Sequence, residues 1–119
     1  MVANMKVSPH QQIGELLEAV GSPVRVRILL AIGTGEVCVC HLESLLGLRQ
    51  AYISQQLMDL REKGLIASRR DGKFIYYRLE KPEVLQLVHV AAGLAGIAEN
   101  ELLIRENSGC DCPKCRQVG

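Results

Sequence analysis

The hydrophobic pattern changes its period in the middle of the chain, and this change constrains the fold more than any other feature. Residues 41–46 have apolar side chains at helical spacing, and so does the series Ile53, Leu57 and Leu60. A short turn that contains Gly47 separates the two segments. Two helices joined by such a turn predict a helix-turn-helix.

A β-hairpin is predicted directly after this unit. Residues 65–70 and 73–79 are β-prone runs, and between them lies Asp71-Gly72, a dipeptide that favours a two-residue hairpin turn. Residues 36–39, before the helix-turn-helix, are expected to add one brief strand. The predicted fold is therefore mostly α-helical with a small β-hairpin, a winged helix-turn-helix in the order α-α-(β)-α-α-β-β-α.

Two further helices precede the helix-turn-helix. Ser8-Pro9 and Ser22-Pro23 each place an N-cap residue before a proline at the first helical position. The first helix is expected to end near residue 20, and the second is expected to end at Gly33, because glycine commonly follows the last helical residue.

A long helix is predicted over about residues 83–106, with apolar residues around most of its circumference. Such a helix is buried on two sides, and in a small domain a second copy of the chain covers the second side most simply. We therefore expect a dimer. The predicted organisation is a flexible N-terminus at 1–8, a winged helix-turn-helix and dimerisation domain at 9–106, and a cysteine-rich tail at 107–119.

Composition restricts the class of protein. The 119 residues suffice for one domain of ordinary size, and 48% apolar with 23% charged residues is typical of a globular protein. No apolar run approaches the roughly 18 residues of a membrane span, and the N-terminus lacks the layout of a secretory signal. Five cysteines, an odd number, predict reduced thiols in the cytoplasm rather than a disulfide scaffold.

Charge is concentrated on the helix-hairpin segment. The whole chain has a net charge of +1, but residues 49–81 contain eight cations and four anions. Lysine and arginine that neutralise phosphates supply most non-specific affinity for DNA, so this segment is the predicted DNA surface. The side chains expected to read or approach bases are Gln50, Tyr52, Ser54, Gln55 and Gln56, and those expected to anchor phosphates are Arg49, Arg69, Arg70 and Lys73.

The alternative for this surface is a solvated helix face with charges that protect an edge strand.

The sequence gives little support to an enzymatic function. The sequence contains no glycine-rich phosphate loop, no paired carboxylates in an apolar setting and no serine, histidine and aspartate grouping of suggestive spacing. We expect a protein that is not an enzyme.

Cys38 and Cys40 lie where the predicted strand becomes the first helix of the helix-turn-helix. A helix N-terminus favours negative charge, so both are plausible thiolate ligands of a soft metal. Residues two apart on a regular helix point about 200° apart, so the two can bind one ion only if the backbone there is unwound or extended. The alternative is that they are small core residues. His41 is a possible further ligand, and His89 is expected to pack in the long helix.

Cys110, Cys112 and Cys115 form a second cluster in the tail, with a spacing suited to wrapping a thiophilic ion. The last two also match a dithiol redox motif, but the βαβ context of a thiol oxidoreductase is absent.

The segments 36–42, Glu-Val-Cys-Val-Cys-His-Leu, and 46–65, which ends in Leu-Arg-Glu-Lys-Gly-Leu, resemble the ArsR/SmtB family of metal-sensing winged-helix repressors. The resemblance covers about residues 9–106. It implies a homodimer formed mainly by the first and last helices, which binds double-stranded operator DNA with dyad symmetry. It also implies that effector binding weakens DNA affinity.

The chain departs from familiar members of the family. Arsenite sensors commonly have Asp after the Cys-Val-Cys pair and a third Cys two residues later, where this chain has His41 and Glu43. Cadmium and lead sensors add cysteines before or in the first helix, and the zinc-sensing members have an Asp-x-His pair in the last helix. The family resemblance then requires that Cys38 and Cys40 be joined by tail cysteines, within one chain or across the dimer. The expected effector is As(III), Cd(II), Pb(II) or Zn(II).

Two rival functions keep the same fold. In the first, the cysteines are a redox switch, with Cys38 or Cys40 forming a disulfide with the tail. In the second, the domain is an interaction module that does not bind DNA, and its tail holds structural zinc.

Overall fold

The computed structural model describes residues 7–102, and within them it has five α-helices, one short 3-10 helix and three strands. The residues at either end, 1–6 and 103–119, lie outside the described part, so the predicted flexible N-terminus and cysteine-rich tail stay predictions. The helices are α1 Pro9–Val20, α2 Pro23–Ile32, α3 Val39–Leu46, α4 Gln50–Glu62 and α5 Val84–Leu94, the strands are β1 Glu36–Cys38, β2 Ile66–Asp71 and β3 Phe74–Leu79, and the 3-10 helix is Glu99–Leu102.

The predicted starts of α1 and α2 are confirmed. Ser8 is the N-cap of α1, and its Oγ accepts a hydrogen bond from the Gln11 N–H at 3.1 Å. Ser22 occupies the same position before α2, but its side chain makes no capping hydrogen bond. Gly33 ends α2 with φ +55°, a backbone angle that favours glycine because it has no Cβ.

The prediction of one continuous helix over residues 83–106 is wrong, because α5 ends at Leu94. Gly96 has φ +74°, and its N–H donates to the Gly93 carbonyl while the Ile97 N–H donates to the Ala92 carbonyl. This pair of hydrogen bonds satisfies the last carbonyls of the helix and turns the chain away from its axis. The 3-10 helix then begins where the Glu101 side chain accepts from the Ala98 N–H at 2.8 Å.

The three strands form one antiparallel sheet in the order β1-β3-β2. The predicted hairpin is confirmed, but its turn is one residue later than expected. Asp71 pairs with Phe74, so the turn residues are Gly72 and Lys73, and Gly72 provides the positive φ of +64° that begins the turn. The brief predicted strand is confirmed as well, and it ends at Cys38 because Val39 already belongs to α3.

The core is built by the five α-helices together with residues of the sheet, and it anchors both helices of the helix-turn-helix. Leu42 of α3 and Ile53, Leu57 and Leu60 of α4 have no accessible surface, which confirms the predicted buried face of α4. A smaller cluster contains the buried Cys38 and Tyr76, with Cys40 and Phe74 packed against it. The architecture is a winged helix-turn-helix. Among the described residues, no helix has the length and apolar character required to cross a membrane.

Candidate functional site

The α4 helix presents a polar face to solvent because its apolar residues are anchored in the core. The turn before it contains Gly47 at φ +68°, whose N–H donates to the Glu43 carbonyl at 2.8 Å and closes α3. Arg49 is the N-cap of α4. Of the predicted base-reading residues, Gln50, Tyr52 and Gln55 are exposed, as is Arg49, whereas Ser54 and Gln56 are half-buried.

The hairpin has three cationic side chains at or near its tip, and they differ in their contacts. Arg70 and Lys73 are exposed, and the Lys73 Nζ lies 5.5 Å from the centre of the Phe74 ring. Arg69 donates two hydrogen bonds of 2.8 Å to the Glu36 carboxylate on β1. Its guanidinium also lies 4.8 Å from the centre of the Tyr76 ring. The hydrogen bond with Glu36 raises the pKa of Arg69 above its ordinary value. Arg69 is therefore held on the sheet, while Arg70 and Lys73 project from it.

Cys38 and Cys40 meet at the start of α3. Cys38 is the N-cap and has extended backbone angles, φ −95° and ψ 166°, and its Sγ accepts from the His41 N–H at 3.4 Å. Cys40 lies in the first turn of the helix, and its Sγ is 2.7 Å from the Sγ of Cys38. The sequence required an extended backbone for the two thiols to share an ion, and the extended conformation of Cys38 meets that requirement.

The two cysteines pack against the hairpin at Tyr76 in the middle of β3. Cys38 is only 2% exposed and lies opposite Tyr76 in the pairing of β1 with β3. Arg69 lies over the ring of Tyr76 and forms an ion pair with Glu36. A continuous series of contacts therefore connects the sulfurs to the hairpin. We refer to Cys38, Cys40, Tyr76, Arg69 and Glu36 as the thiol-wing cluster. The burial of Cys38 fits a core cysteine, but its contact with Cys40 brings two sulfur atoms to one point.

The described residues do not supply more donors there. Between residues 7 and 102, no group of three or more His, Cys, Asp or Glu side chains could hold a metal ion. Cys110, Cys112 and Cys115 lie outside the described residues. His89 is exposed in the single chain rather than packed, and its Nδ1 is 3.8 Å from Glu99 Oε1.

Sequence reasoning missed four residues that support this surface, namely Arg25, Asp59, Glu36 and Tyr76. A signal existed for Arg25, since an arginine inside the apolar run Pro-Val-Arg-Val-Arg-Ile-Leu-Leu of α2 needs acceptors nearby. No comparable local signal marks Glu36, because its partner is 33 residues away.

Comparison with known proteins places this architecture in a family. Residues 22–68 match the model described as "Bacterial regulatory protein, arsR family". The chain is also 38% identical over 78 residues to the biofilm growth-associated repressor of Xylella fastidiosa, an alignment that covers 66% of this chain and 68% of the relative. The chain belongs to the arsR family.

Two further comparisons agree. The arsR-family regulator named "Arsenic resistance transcriptional regulator ArsR1", from Pseudomonas putida, is 41% identical over 85 residues, covering 71% of this chain and 64% of that protein. The crystal structure of the transcriptional repressor BigR from Xylella fastidiosa superposes with a TM-score of 0.66 at 35% identity and covers 71% of this chain and 87% of that one. The family and these relatives are transcription regulators, not enzymes, and this arsR-family chain is a helix-turn-helix DNA-binding repressor.

Proposed function

We propose that the chain is a repressor released from DNA by a thiophilic ion. It binds a dyad-symmetric operator as a homodimer, and As(III), Cd(II), Pb(II) or Zn(II) bound by cysteine thiolates weakens that binding. The observation that carries this proposal is the 2.7 Å contact between the sulfurs of Cys38 and Cys40, at the junction of the sheet with the helix-turn-helix. Regulators of this family respond to metal ions, and two adjacent cysteine sulfurs, once both are reduced to thiolates, fit a soft ion.

Two sulfurs do not complete the coordination of such an ion. Trigonal As(III) or Pb(II) takes three thiolates, and tetrahedral Cd(II) or Zn(II) takes four ligands. We assign the missing donors to Cys110, Cys112 and Cys115, from the same chain or from the partner. This assignment rests on the sequence, since these residues lie outside the described part of the chain.

The thiol-wing cluster supplies a physical route from the sulfurs to the DNA surface. Two sulfurs on one tetrahedral zinc-sized ion lie roughly 3.8 Å apart, given Zn–S distances of about 2.3 Å. An ion held by Cys38 and Cys40 would set the distance and the angle between their sulfurs, so binding it would reposition both residues. Cys40 moves with α3, which packs on α4, and Cys38 is buried against Tyr76. A closely packed core transmits such a shift, because it has little free volume to absorb it.

The DNA contacts follow from the exposed faces. The side chains proposed to approach bases are Gln50, Tyr52, Ser54, Gln55 and Gln56, and those proposed to contact phosphates are Arg49, Arg69, Arg70 and Lys73. In a dimer the two recognition helices would lie about 34 Å apart, one turn of B-form DNA. Arg69 differs from the other cations because a phosphate would compete with Glu36 for its guanidinium.

Exposed apolar side chains support the homodimer. Ile13, Leu16 and Leu17 of α1 and Val90 and Leu94 of α5 are exposed in the single chain, although all are large and apolar. Large apolar side chains grouped on an exposed helix face mark an interface more often than a solvated face. The proposed dimer covers these residues with the same helices of the partner.

A titration tests the proposal. We expect the protein to bind a promoter fragment from its own upstream region, and each effective ion to release it at a fixed stoichiometry. Sulfur-to-metal charge transfer in the ultraviolet should rise in step with the release. Fluorescence anisotropy of the labelled fragment, followed with Cd(II), Pb(II), Zn(II) and arsenite in turn, makes the measurement.

The same experiment separates the rivals. Thiol redox sensing, which the sulfur contact also supports, predicts release by peroxide without metal, as two thiols are oxidised to a disulfide and peroxide is reduced to water. An interaction module that does not bind DNA predicts no salt-dependent affinity for the dyad-symmetric fragment. Release by neither ions nor peroxide would contradict both sensing functions.

The exposed hairpin cations make a separate prediction. Replacing Arg70 and Lys73 together with alanine should weaken operator binding and flatten its salt dependence, because each lost phosphate contact removes about 0.9 from the slope of log affinity against log salt. Arg78→Ala, at the base of the same hairpin beside Glu80, is the control and should leave the slope unchanged. Equal salt slopes for the wild type, the double variant and the control would show that the hairpin tip does not contact DNA.

A further inference from the structure

One arginine of α2 joins three helices through a single guanidinium group. The Nε of Arg25 donates to Gln56 Oε1 at 2.8 Å, and its Nη2 donates to Asp59 Oδ2 at 2.8 Å. Its Nη1 donates to the Ala19 carbonyl at 3.1 Å. The side chain is 18% exposed, so these hydrogen bonds are largely shielded from water.

The contact with Ala19 ties Arg25 to the end of α1. The last four carbonyls of a helix have no partner within that helix, and Ala19 is the second-last residue of α1. A cation at this end also interacts favourably with the helix dipole. Arg25 therefore fixes the C-terminal end of a helix that we place at the dimer interface.

The other two contacts fix the recognition helix. Gln56 and Asp59 are three residues apart and so lie on one face of α4. The second carboxylate oxygen of Asp59 accepts from Gln55 Nε2 at 3.3 Å, so the chain of hydrogen bonds continues from Arg25 through Asp59 to Gln55. Gln55 is exposed, whereas the side-chain oxygen of Gln56 is already engaged by Arg25.

We infer that Arg25 is a positioning residue for sequence-specific DNA binding. It sets the angle of α4 relative to α1, and through Asp59 it orients the Gln55 amide toward the DNA. This inference revises the proposed base contacts, because it leaves Gln55 to read a base edge and assigns Gln56 to holding the helix. This inference rests on the proposed DNA contact of α4 and on the proposed dimer, but not on the identity of the effector.

The planar guanidinium is essential to this role. Arginine presents five N–H donors in a rigid fork, and here three of them point to acceptors on two other helices, one on α1 and two on α4. Lysine at this position keeps the charge but concentrates its donors on one nitrogen, so it cannot span the same three acceptors. Arg25→Lys therefore separates positioning from charge.

The decisive experiment compares operator and non-specific DNA over a range of salt. For Arg25→Lys and for Asp59→Asn we expect operator affinity to fall by about tenfold, with the salt slope unchanged, since no phosphate contact is lost. Affinity for non-specific DNA should stay within about twofold, because it depends on phosphate contacts alone. The double variant should be little weaker than either single variant, because both remove the same interaction.

The two glutamines provide a second test that does not depend on the stability of the arginine variants. Gln55→Ala should lose discrimination at one base pair of each half-site, as measured with a set of single-base operator variants. Gln56→Ala should weaken binding to all these operators equally.

Several outcomes would overturn the inference. The first is that Arg25→Lys and Asp59→Asn lose affinity equally for operator and for non-specific DNA. The second is that Arg25→Lys binds both DNAs like the wild type. The third is that Gln56→Ala, instead of Gln55→Ala, loses discrimination between bases. If Arg25→Lys fails to fold, as judged by circular dichroism, the glutamine pair decides. Failure of the wild-type protein to bind any operator would instead remove the proposed function itself.

Discussion

Cys38→Ser and Cys40→Ser are each expected to abolish release of the repressor by its ion while leaving operator affinity within a few-fold of the wild type. Soft ions bind thiolate far more strongly than hydroxyl. Because even the outer partners of metal ligands change affinity by about 10- to 100-fold, loss of a direct sulfur ligand should cost more than about 100-fold. The measurement is ion titration of the DNA-bound protein, with charge-transfer absorbance recorded in parallel.

Cys38→Ser should fold, because serine suits the position that this cysteine occupies. Cys38 is the N-cap of α3 and accepts from the His41 N–H, and serine is among the preferred N-cap residues. Val39→Ala is the matched control, since it alters the side chain between the two sulfurs without removing a thiol. Full release of either serine variant at wild-type ion concentrations would exclude the pair as ligands.

The tail cysteines form a second arm of this prediction. Cys110, Cys112 and Cys115 changed together to serine should also abolish release if they complete the site. Unaltered release of that triple variant, with loss of release in Cys38→Ser, would place the remaining ligands elsewhere. The within-chain and across-dimer arrangements differ in mixed dimers, where one protomer lacks Cys38 and the other lacks the tail cysteines. Such a dimer keeps one complete site only if ligands come from both chains.

Local signals predicted most of the fold correctly. N-caps, prolines and glycines act within a few residues of where they occur, so the starts of α1 and α2 and the end of α2 could be read directly. The buried face of α4 followed from apolar spacing alone. These features depend on neighbours in sequence, and tertiary contacts reinforce rather than override them.

The errors arose where one residue had two plausible roles. Gly96 lies inside the helix predicted over residues 83–106, but its positive φ ends α5 instead. The apolar pattern continues past this point, so periodicity alone could not show the break. The hairpin turn was displaced by one residue because Asp71 is also able to pair in the sheet, where it lies opposite Phe74.

The supporting contacts of the site are long-range and could not be predicted. Arg25 meets Asp59 across 34 residues, and Arg69 meets Glu36 across 33. The sequence alone does not show whether the side chains of Cys38 and Cys40 point to the same side. The extended backbone at Cys38 in the structure places them together. Candidate ligands could therefore be identified from neighbouring residues in the sequence, whereas the orientation of their side chains depends on the three-dimensional fold.

Leu94→Glu combined with Val90→Glu is expected to convert the dimer to a folded monomer and to weaken operator binding by more than about 100-fold. Leu94 is 87% exposed and Val90 is 62% exposed in the single chain, so neither contributes to the monomer core. Val84, Val88 and Ala92 on the opposite face of α5 are buried and should hold the helix in place. Unfolding temperature should change little when extrapolated to low protein concentration.

The loss of affinity follows from the two half-sites of the operator. When two recognition helices are joined, the second binds at a high effective concentration, which raises overall affinity by about 10²- to 10⁴-fold over one helix alone. Separating the protomers removes this gain without changing any DNA-contacting residue, so the monomer should keep its preference for a half-site while losing affinity.

Sedimentation velocity measures the oligomeric state, and anisotropy on full and half operators measures the affinity. Thr34→Glu adds the same kind of charge in an exposed loop and should change neither. A double variant that stays dimeric would place the interface elsewhere, and a monomer that binds the full operator with wild-type affinity would show that dimerisation is not the source of operator recognition.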